Sequence, residues 1–368
     1  VKGGGRGVVA SELKDMPRAT RKGEELDSAR LGAYISARLP GCDGEVQIEQ
    51  FPSGFSNLTY CIHIGSKEFV LRRPPIGAQV STAHDVCREY RILSGLHPLF
   101  GRVPRPILLC DDESIIGAPF YLMERVMGVI LRNRATAGVE LSERLMGSIS
   151  RSFVANLVQI HGLDPVKAGL GGLGHPEGYV KRQIEGWTKR YFNARTDDVP
   201  VIEETARWLA SRIPSESGAT LIHNDYKYDN IALSPSDMSS VVAVLDWEMA
   251  TIGDPLMDLG TTLGYWVESG DRDEWQASGL GLTMLPGNLR RMEIVELYER
   301  LSGREVVEPV YYYVYGLFKI AVIVQQIYFR YRMGKTRDPR FSNLIAVVRA
   351  AGSMATRAIE KGRIDDLG

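Results

Sequence analysis

The sequence predicts an α+β fold of two parts, a small antiparallel sheet with one helix followed by a larger, mainly helical region. Three observations predict it. Polar and apolar residues alternate with period two between residues 45 and 72, a helical stripe follows at 84–96, and helical spacing dominates beyond Gly128.

In the first stretch EVQIEQF alternates, PSGFSN breaks the run, and LTYCIHI and KEFVLRR follow on either side of Gly65-Ser66. This reads as three antiparallel strands, the last two joined by a tight hairpin and the third ended by Pro74-Pro75. In HDVCREYRILSGL, Val86, Glu89, Leu93 and Leu96 fall at i, i+3, i+7 and i+10 on one helical stripe. A lone Glu89 among apolar neighbours should have a cation partner if it faces inward. After the break at Pro104 and Pro106, PILLC and APFYLME supply two further strands, and the small lobe ends at about residues 123–128. Beyond it, short strands are expected only around Leu221 and between Asn230 and Asp246.

Bulk properties narrow the function. The 368 residues, 44% hydrophobic and 24% charged, describe an ordinary soluble globular chain, and a net charge of -1 is a poor match to nonspecific nucleic-acid binding. Cys42, Cys61, Cys87 and Cys110 are scattered without a C-x-x-C pair, which favours reduced, packed thiols in a cytoplasmic protein over disulfides or zinc. Residues 1–27 are glycine-rich, with no apolar core for a signal peptide, and are expected to be a flexible lead-in. Residues 310–329 come nearest to a membrane span, but Lys319, Gln325 and Gln326 inside them would be costly in lipid. A buried helix is expected there, and no membrane partner.

Chemistry concentrates in residues 221–230, LIHNDYKYDN, and in the run from Asn230 to Gly260, NIALSPSDMSSVVAVLDWEMATIGDPLMDLG. NIAL and VVAVL form a hairpin about Asp237, so Asn230 lies across from Leu245 or Asp246, since facing residues sit about 4.5–5.5 Å apart. Asp225 lies in the loop that feeds the hairpin. Three oxygen-bearing side chains then converge at one edge, a hard-cation site suited to magnesium carried by phosphates, with one carboxylate to spare. Phosphoryl transfer needs that division, because the metal must be held against the nucleotide while a separate carboxylate takes the proton of the acceptor hydroxyl.

The pattern H-x-D-x-x-x-x-N, followed by an aspartate closing an apolar strand, resembles the catalytic and metal loops of kinase-like phosphotransferases. HNDYKYDN with LDWEMATIGDPLMDLG is similar to the aminoglycoside phosphotransferase and choline kinase group. Within it, the sequence most resembles the branch related to the kinase-like domain fused to some acyl-CoA dehydrogenases. The resemblance runs from about residue 54 to 331. It implies a bilobal protein-kinase-like fold: a flexible segment at 1–27, a nucleotide-covering N-lobe at 28–125, and a helical C-lobe at 126–368 carrying the catalytic and metal loops.

Carried over residue by residue, the resemblance makes Asp225 the catalytic base and Asn230 and Asp246 the magnesium ligands, with His223 bracing the loop. Arg72, where many kinases use lysine, would pair with Glu89 and reach the nucleotide phosphates; Arg72 fits better than Arg73 because it falls in the strand proper. Gly54, Phe55, Ser56 and Asn57 occupy the position of the phosphate-covering loop, keeping only one glycine of the G-x-G-x-x-G of protein kinases. Met123, Glu124 and Val126 would form the hinge, offering backbone groups and apolar cover to a purine. Asp254-Pro255 reads as a helix N-cap with proline at the first helical position, and Asp258 as a structural aspartate that steadies the catalytic loop.

GLGGLG at 169–174 matches a dinucleotide fingerprint in letters only, because it follows a helical stretch and precedes His175-Pro176. The helix expected at 178–192 lies near where related enzymes receive the acceptor. Its region carries Lys181, Arg182, Lys189 and Arg190, which do not suit a polycationic aminoglycoside. The expected activity is therefore transfer of the γ-phosphate of ATP or GTP, with magnesium, to a small-molecule hydroxyl, a hydroxylated acyl thioester among the candidates. The alternative is a catalytically silent nucleotide-binding module, motivated by the arginine at the usual lysine position and the sparse phosphate loop. A protein kinase fits less well, because DWE replaces D-F-G and no A-P-E follows.

Overall fold

In the computed structural model the alternation of residues 46–73 becomes three strands of a five-stranded antiparallel sheet. The structure describes residues 16–51, 57–75, 85–132, 140–336 and 338–368. In chain order the elements begin α1 (Ser28–Ser36), β1 (Val46–Gln50), β2 (Leu58–Ile64), β3 (Lys67–Arg73), α2 (Val86–Phe100), β4 (Pro106–Cys110) and β5 (Phe120–Glu124). There follow α3 (Glu143–His161), α4 (Tyr179–Ala194), α5 (Pro200–Ser211), β6 (Thr220–Ile222), β7 (Ile231–Leu233), β8 (Val241–Val244) and β9 (Thr251–Gly253). The chain closes with α6 (Pro255–Tyr265), α7 (Asp273–Gln276), α8 (Arg291–Ser302), α9 (Pro309–Arg332) and α10 (Leu344–Lys361). Residues 1–130, 168–170 and 231–249 make one compact unit, and the rest make a second.

In the first unit the sheet order is β1-β2-β3-β5-β4. Period two sends Tyr60, Ile62 and Ile64 of β2, Phe69 and Leu71 of β3, and Phe120 and Leu122 of β5 to one face, where they pack with Leu31 and Ile35 of α1. Arg72 and Met123 therefore project from the opposite face. α2 is capped by Asp85, which accepts from Arg88 N, and closed by Gly101 at φ +64°. Its Val86, Glu89, Leu93 and Leu96 are buried, as the stripe predicted. The β7–β8 hairpin pairs Ile231 with Val244, and Asp237 in its turn accepts from Ser239 and Ser240.

The lead-in expected to be flexible at 1–27 is tied down over its described part. Arg18 bridges Gln50, Arg21 N donates to Gln50 Oε1 at 2.9 Å, and Tyr60 donates to Glu24 O at 2.8 Å. Glycine and charge in a sequence do not reveal that a neighbouring strand has an edge to offer.

The second unit is mainly helical. α9 is long and apolar enough to cross a membrane, but 72% of its most apolar window is buried inside the protein. It packs on α6 so closely that glycine is required on both helices. A β-carbon at Gly260 would strike Tyr312 O, one at Gly316 would strike Gly260 O, and one at Gly264 would lie 2.7 Å from Gly316 C. β6 pairs with β9, a three-residue strand that the sequence pattern had not announced. The end of β6 and the loop that follows it carry LIHNDYKYDN. The GLGGLG segment lies in turns outside any strand or helix.

Candidate active site

The candidate site residues fall in both units, and each set is built by its own unit.

In the second unit, Tyr226 and Tyr228 anchor the loop after β6. Tyr226 stacks on Phe153 with ring centroids 4.3 Å apart and donates to Phe153 O at 2.9 Å, while Tyr228 donates to Asn288 Oδ1 at 2.8 Å. Asp225 and Lys227, at the alternate positions, are half-buried, and Lys227 Nζ lies 4.6 Å from the centre of the Tyr265 ring. Asp258 is fully buried at the start of α6 and accepts from the backbone N–H of His223 (2.8 Å) and Asn224 (2.7 Å), and His161 Nε2 lies 3.1 Å from it. Burial alone would raise its carboxyl pKa; those bonds and the two histidines bring it below the usual value. Asp258 thus ties α3 and the loop after β6 to the start of α6. His223 Nδ1 accepts from Asp225 N at 3.3 Å, and so braces the loop.

Asp225 is held on several sides. Asn230 Nδ2 donates to its Oδ2 at 2.9 Å and to its backbone O at 2.8 Å, Lys227 Nζ lies 2.9 Å from Oδ2, and burial together with the Asp225 charge pushes the pKa of the Tyr265 hydroxyl up. Burial works against the charge on Lys227, but Asp225 and Tyr265 outweigh it, so the ammonium pKa is raised. With its nitrogen committed to Asp225, the Asn230 amide is left its oxygen, Oδ1, as the atom for a hard cation.

In the first unit, Arg72 is the centre of a charged cluster. Its Nη1 donates to Glu89 Oε1 at 3.0 Å, and its Nη2 to Asp246 Oδ1 at 2.9 Å and Glu248 Oε2 at 3.3 Å. Glu89 Oε1 also accepts from Trp247 N at 3.1 Å, which ties α2 to the segment after β8. Asn57 Nδ2 donates to Glu248 Oε2 at 2.8 Å. Arg73 instead donates to Ile116 O at 2.8 Å, so strand alternation selects Arg72.

The donor set fits the groups expected. One guanidinium faces three carboxylates, leaving the surplus negative charge that a divalent cation neutralises. Among the described residues the buried Arg72 Nε has no hydrogen-bond partner, a donor suited to a phosphate oxygen. Asp246 has φ +65° and Asn224 φ +68°; with Asp366 they are the positive-φ non-glycine residues among those described. Strain of this kind persists where surrounding structure holds it.

At the expected hinge one backbone group is already occupied. Met123 is buried and pairs with Val70, but Glu124 N–H is taken by Arg105 O at 2.8 Å and its side chain by Arg105 Nε at 3.3 Å. Glu124 therefore has no N–H to offer a base, and among the hinge positions Val126, half-buried beyond the strand, remains. Gly54, Phe55 and Ser56 lie outside the described residues. Sequence reasoning missed Lys227, Glu248, Tyr265 and Lys319. Lys227 and Glu248 sit two residues beyond Asp225 and Asp246, a spacing that could have flagged them; Tyr265 and Lys319 had no local signal.

The sequence model of the phosphotransferase enzyme family matches residues 47–293. Human acyl-CoA dehydrogenase family member 11 is 33% identical over 346 residues, covering 89% of this chain and 43% of that protein. The chain thus spans less than half the length of the curated relatives it matches. Among solved structures, a candidate aminoglycoside phosphotransferase from Ralstonia eutropha superposes with a TM-score of 0.76 at 29% identity, covering 92% of this chain and 99% of that one. A choline kinase from Cryptosporidium parvum shares the fold at a TM-score of 0.60 and 13% identity, over 93% of this chain and 98% of its own.

Proposed function

The chain belongs to the phosphotransferase enzyme family and has the kinase-like α+β fold, and from that premise we propose that it moves the γ-phosphate of ATP or GTP to a small-molecule hydroxyl, with Asp225 as the base. The observation that carries this reading is the bond from Asn230 Nδ2 to Asp225 Oδ2, because it joins the proposed base to a proposed metal ligand in one loop.

In the proposed reaction Asp225 accepts the proton of the acceptor hydroxyl as that oxygen bonds to phosphorus, and the nucleoside diphosphate leaves with the electrons of the broken P–O bond. Lys227 holds the carboxylate in place. Asn230 and Asp246 would hold magnesium, which when bound neutralises phosphate charge. Arg72, steadied by Glu89, would meet a phosphate oxygen through Nε. Residues 54–57 would cover the phosphates, and Met123 and Val126 would line the base.

For the acceptor we propose a hydroxylated acyl thioester. Two observations support that class: relatives carry acyl-CoA dehydrogenase in their names, and α4 presents Lys181 and Lys189 at its surface, which suits an anionic substrate better than a polycation.

The experiment is incubation with magnesium and ATP or GTP against a panel of hydroxyacyl-CoA thioesters and aminoglycosides, read by mass gain of one phosphate. Phosphorylation of a thioester that Asp225→Asn slows by about 10²–10⁴-fold, with nucleotide affinity kept, is the expected result. Nucleotide binding with no transfer to any hydroxyl would favour the silent module.

A further inference from the structure

Lys319 is an ammonium buried to 1% exposure in the middle of α9, in a helix whose other buried side chains are mainly aromatic and aliphatic. A buried cation is costly unless each of its protons finds an acceptor. Here three acceptors are within reach: Asn224 O at 2.6 Å, Thr261 Oγ1 at 3.4 Å and Asn224 Oδ1 at 3.5 Å. Asn224 Oδ1 also accepts from Tyr179 at 3.2 Å.

The shortest of these bonds falls on a particular peptide. Asn224 O is the carbonyl of the 224–225 peptide, and the N–H of the same peptide donates to His223 Nδ1. Asp258 takes the two preceding N–H groups. The three N–H groups of residues 223–225 and the Asn224 carbonyl, around a turn where Asn224 has φ +68°, are thus met by side chains, and Lys319 is the cation among them. A non-glycine residue in the left-handed region costs of order 1–3 kcal/mol and relaxes when its restraints are removed.

We propose that Lys319 is a positioning residue, whose ammonium fixes the 224–225 peptide and through it the direction of the Asp225 carboxylate. This rests on the reading of Asp225 as the base. Lys319 touches no substrate; it acts through the backbone that carries the base.

The charged groups around Lys319 are Asp258 and Asp225, which favour its proton, and Lys227 and Arg190, which oppose it; the Trp187 ring lies 5.7 Å from Nζ. Burial dominates and brings the ammonium down to about 8. Loss of the proton removes a charge-assisted bond from Asn224 O, so turnover declines as pH rises through that range. Stability moves the other way. An unfolded lysine keeps its proton to about 10.4, so between these values the unfolded state binds more protons and folding gains with pH. An alkaline fall in turnover without a fall in melting temperature is something a purely structural lysine would not produce.

The test uses Lys319→Met and Lys319→Arg in the full chain, with ATP and magnesium as the probe. Two readouts are taken: hydrogen exchange at the amides of residues 223–225, and the pH profile of magnesium-dependent ATP hydrolysis. Lys319→Met should speed exchange at those amides by about 10-fold or more, the gain in opening on losing a charge-assisted bond. It should lower kcat by about 10–10²-fold with KM for ATP held, the cost of a misplaced group. Lys319→Arg, which keeps its charge, should remove the decline near pH 8. If Lys319→Met does not fold, the wild-type profile decides: kcat flat from pH 7 to 10 overturns the proposal. Exchange needs no turnover, so the two failures separate. Asp225→Asn hydrolysing ATP like wild type removes the base, whereas an inactive Asp225→Asn beside a Lys319→Met with unchanged exchange and kcat removes Lys319 alone.

Discussion

Arg72 Nη1 lies 3.0 Å from Glu89 Oε1, with the two side chains 9% and 1% exposed. Strand alternation aims the one, the helical stripe buries the other, and neither charge is tolerable alone. Arg72→Met should therefore destabilise the protein by about 3–5 kcal/mol, the usual cost of leaving a buried ion unpaired. Adding Glu89→Leu should recover much of that loss. Urea unfolding midpoints of the single and double variants check it; equal midpoints for the two would mean that the unpaired Glu89 charge is not what costs stability.

Asn230→Asp keeps an oxygen for a cation but sets a second carboxylate where an amide N–H now meets Asp225. Like charges at that distance raise a carboxylate pKa. The acid limb of the turnover profile should move up by about 1–2 pH units, while Asn230→Ser leaves the limb in place. Rate measurements from pH 5 to about pH 8 in steps of half a unit resolve the difference.

Asp258 has a carboxyl pKa below its value in the unfolded chain, so its contribution to stability is present above about pH 4 and is lost as pH falls through the folded value. Asp258→Asn should lower the melting temperature at pH 7, since two backbone N–H groups and His161 lose their ionised acceptor. The same substitution should flatten the fall in melting temperature below pH 4. A variant curve parallel to wild type through that range would remove Asp258 from the acid response.

Asp246→Ala takes one carboxylate from the Arg72 cluster. Titrating nucleotide with and without magnesium should show wild-type affinity rising with the metal and the variant's affinity indifferent to it. Magnesium dependence preserved in the variant would assign the metal elsewhere.

Much of this was legible in the sequence, and the residues say why. Three of the five strands and α2 follow from period two and from the 3.6-residue stripe, the last two strands from apolar runs after a proline break, and Glu89 announced its cation partner by being the wrong polarity for its place. The β7–β8 hairpin was readable from a β-branched run and a Ser-Asp turn. β9 was not, because three residues carry no period. Tyr265 and Lys319 were missed for a different reason: their partners lie 40 and 95 positions away, and only folding says which side chains share a loop. At the expected hinge, a sequence does not show that Arg105 O has already claimed the Glu124 N–H.

The glycine contact between α6 and α9 reaches further than packing. α6 carries Asp258 and Thr261, α9 carries Lys319, and the spacing of the two helices sets whether all three arrive at the same stretch of loop. Replacing Gly316 or Gly260 with alanine, a routine choice for firming up a helix by up to about 1 kcal/mol, would here wedge the pair apart. An engineer seeking heat tolerance would then loosen the Asp225 loop from a position well outside it.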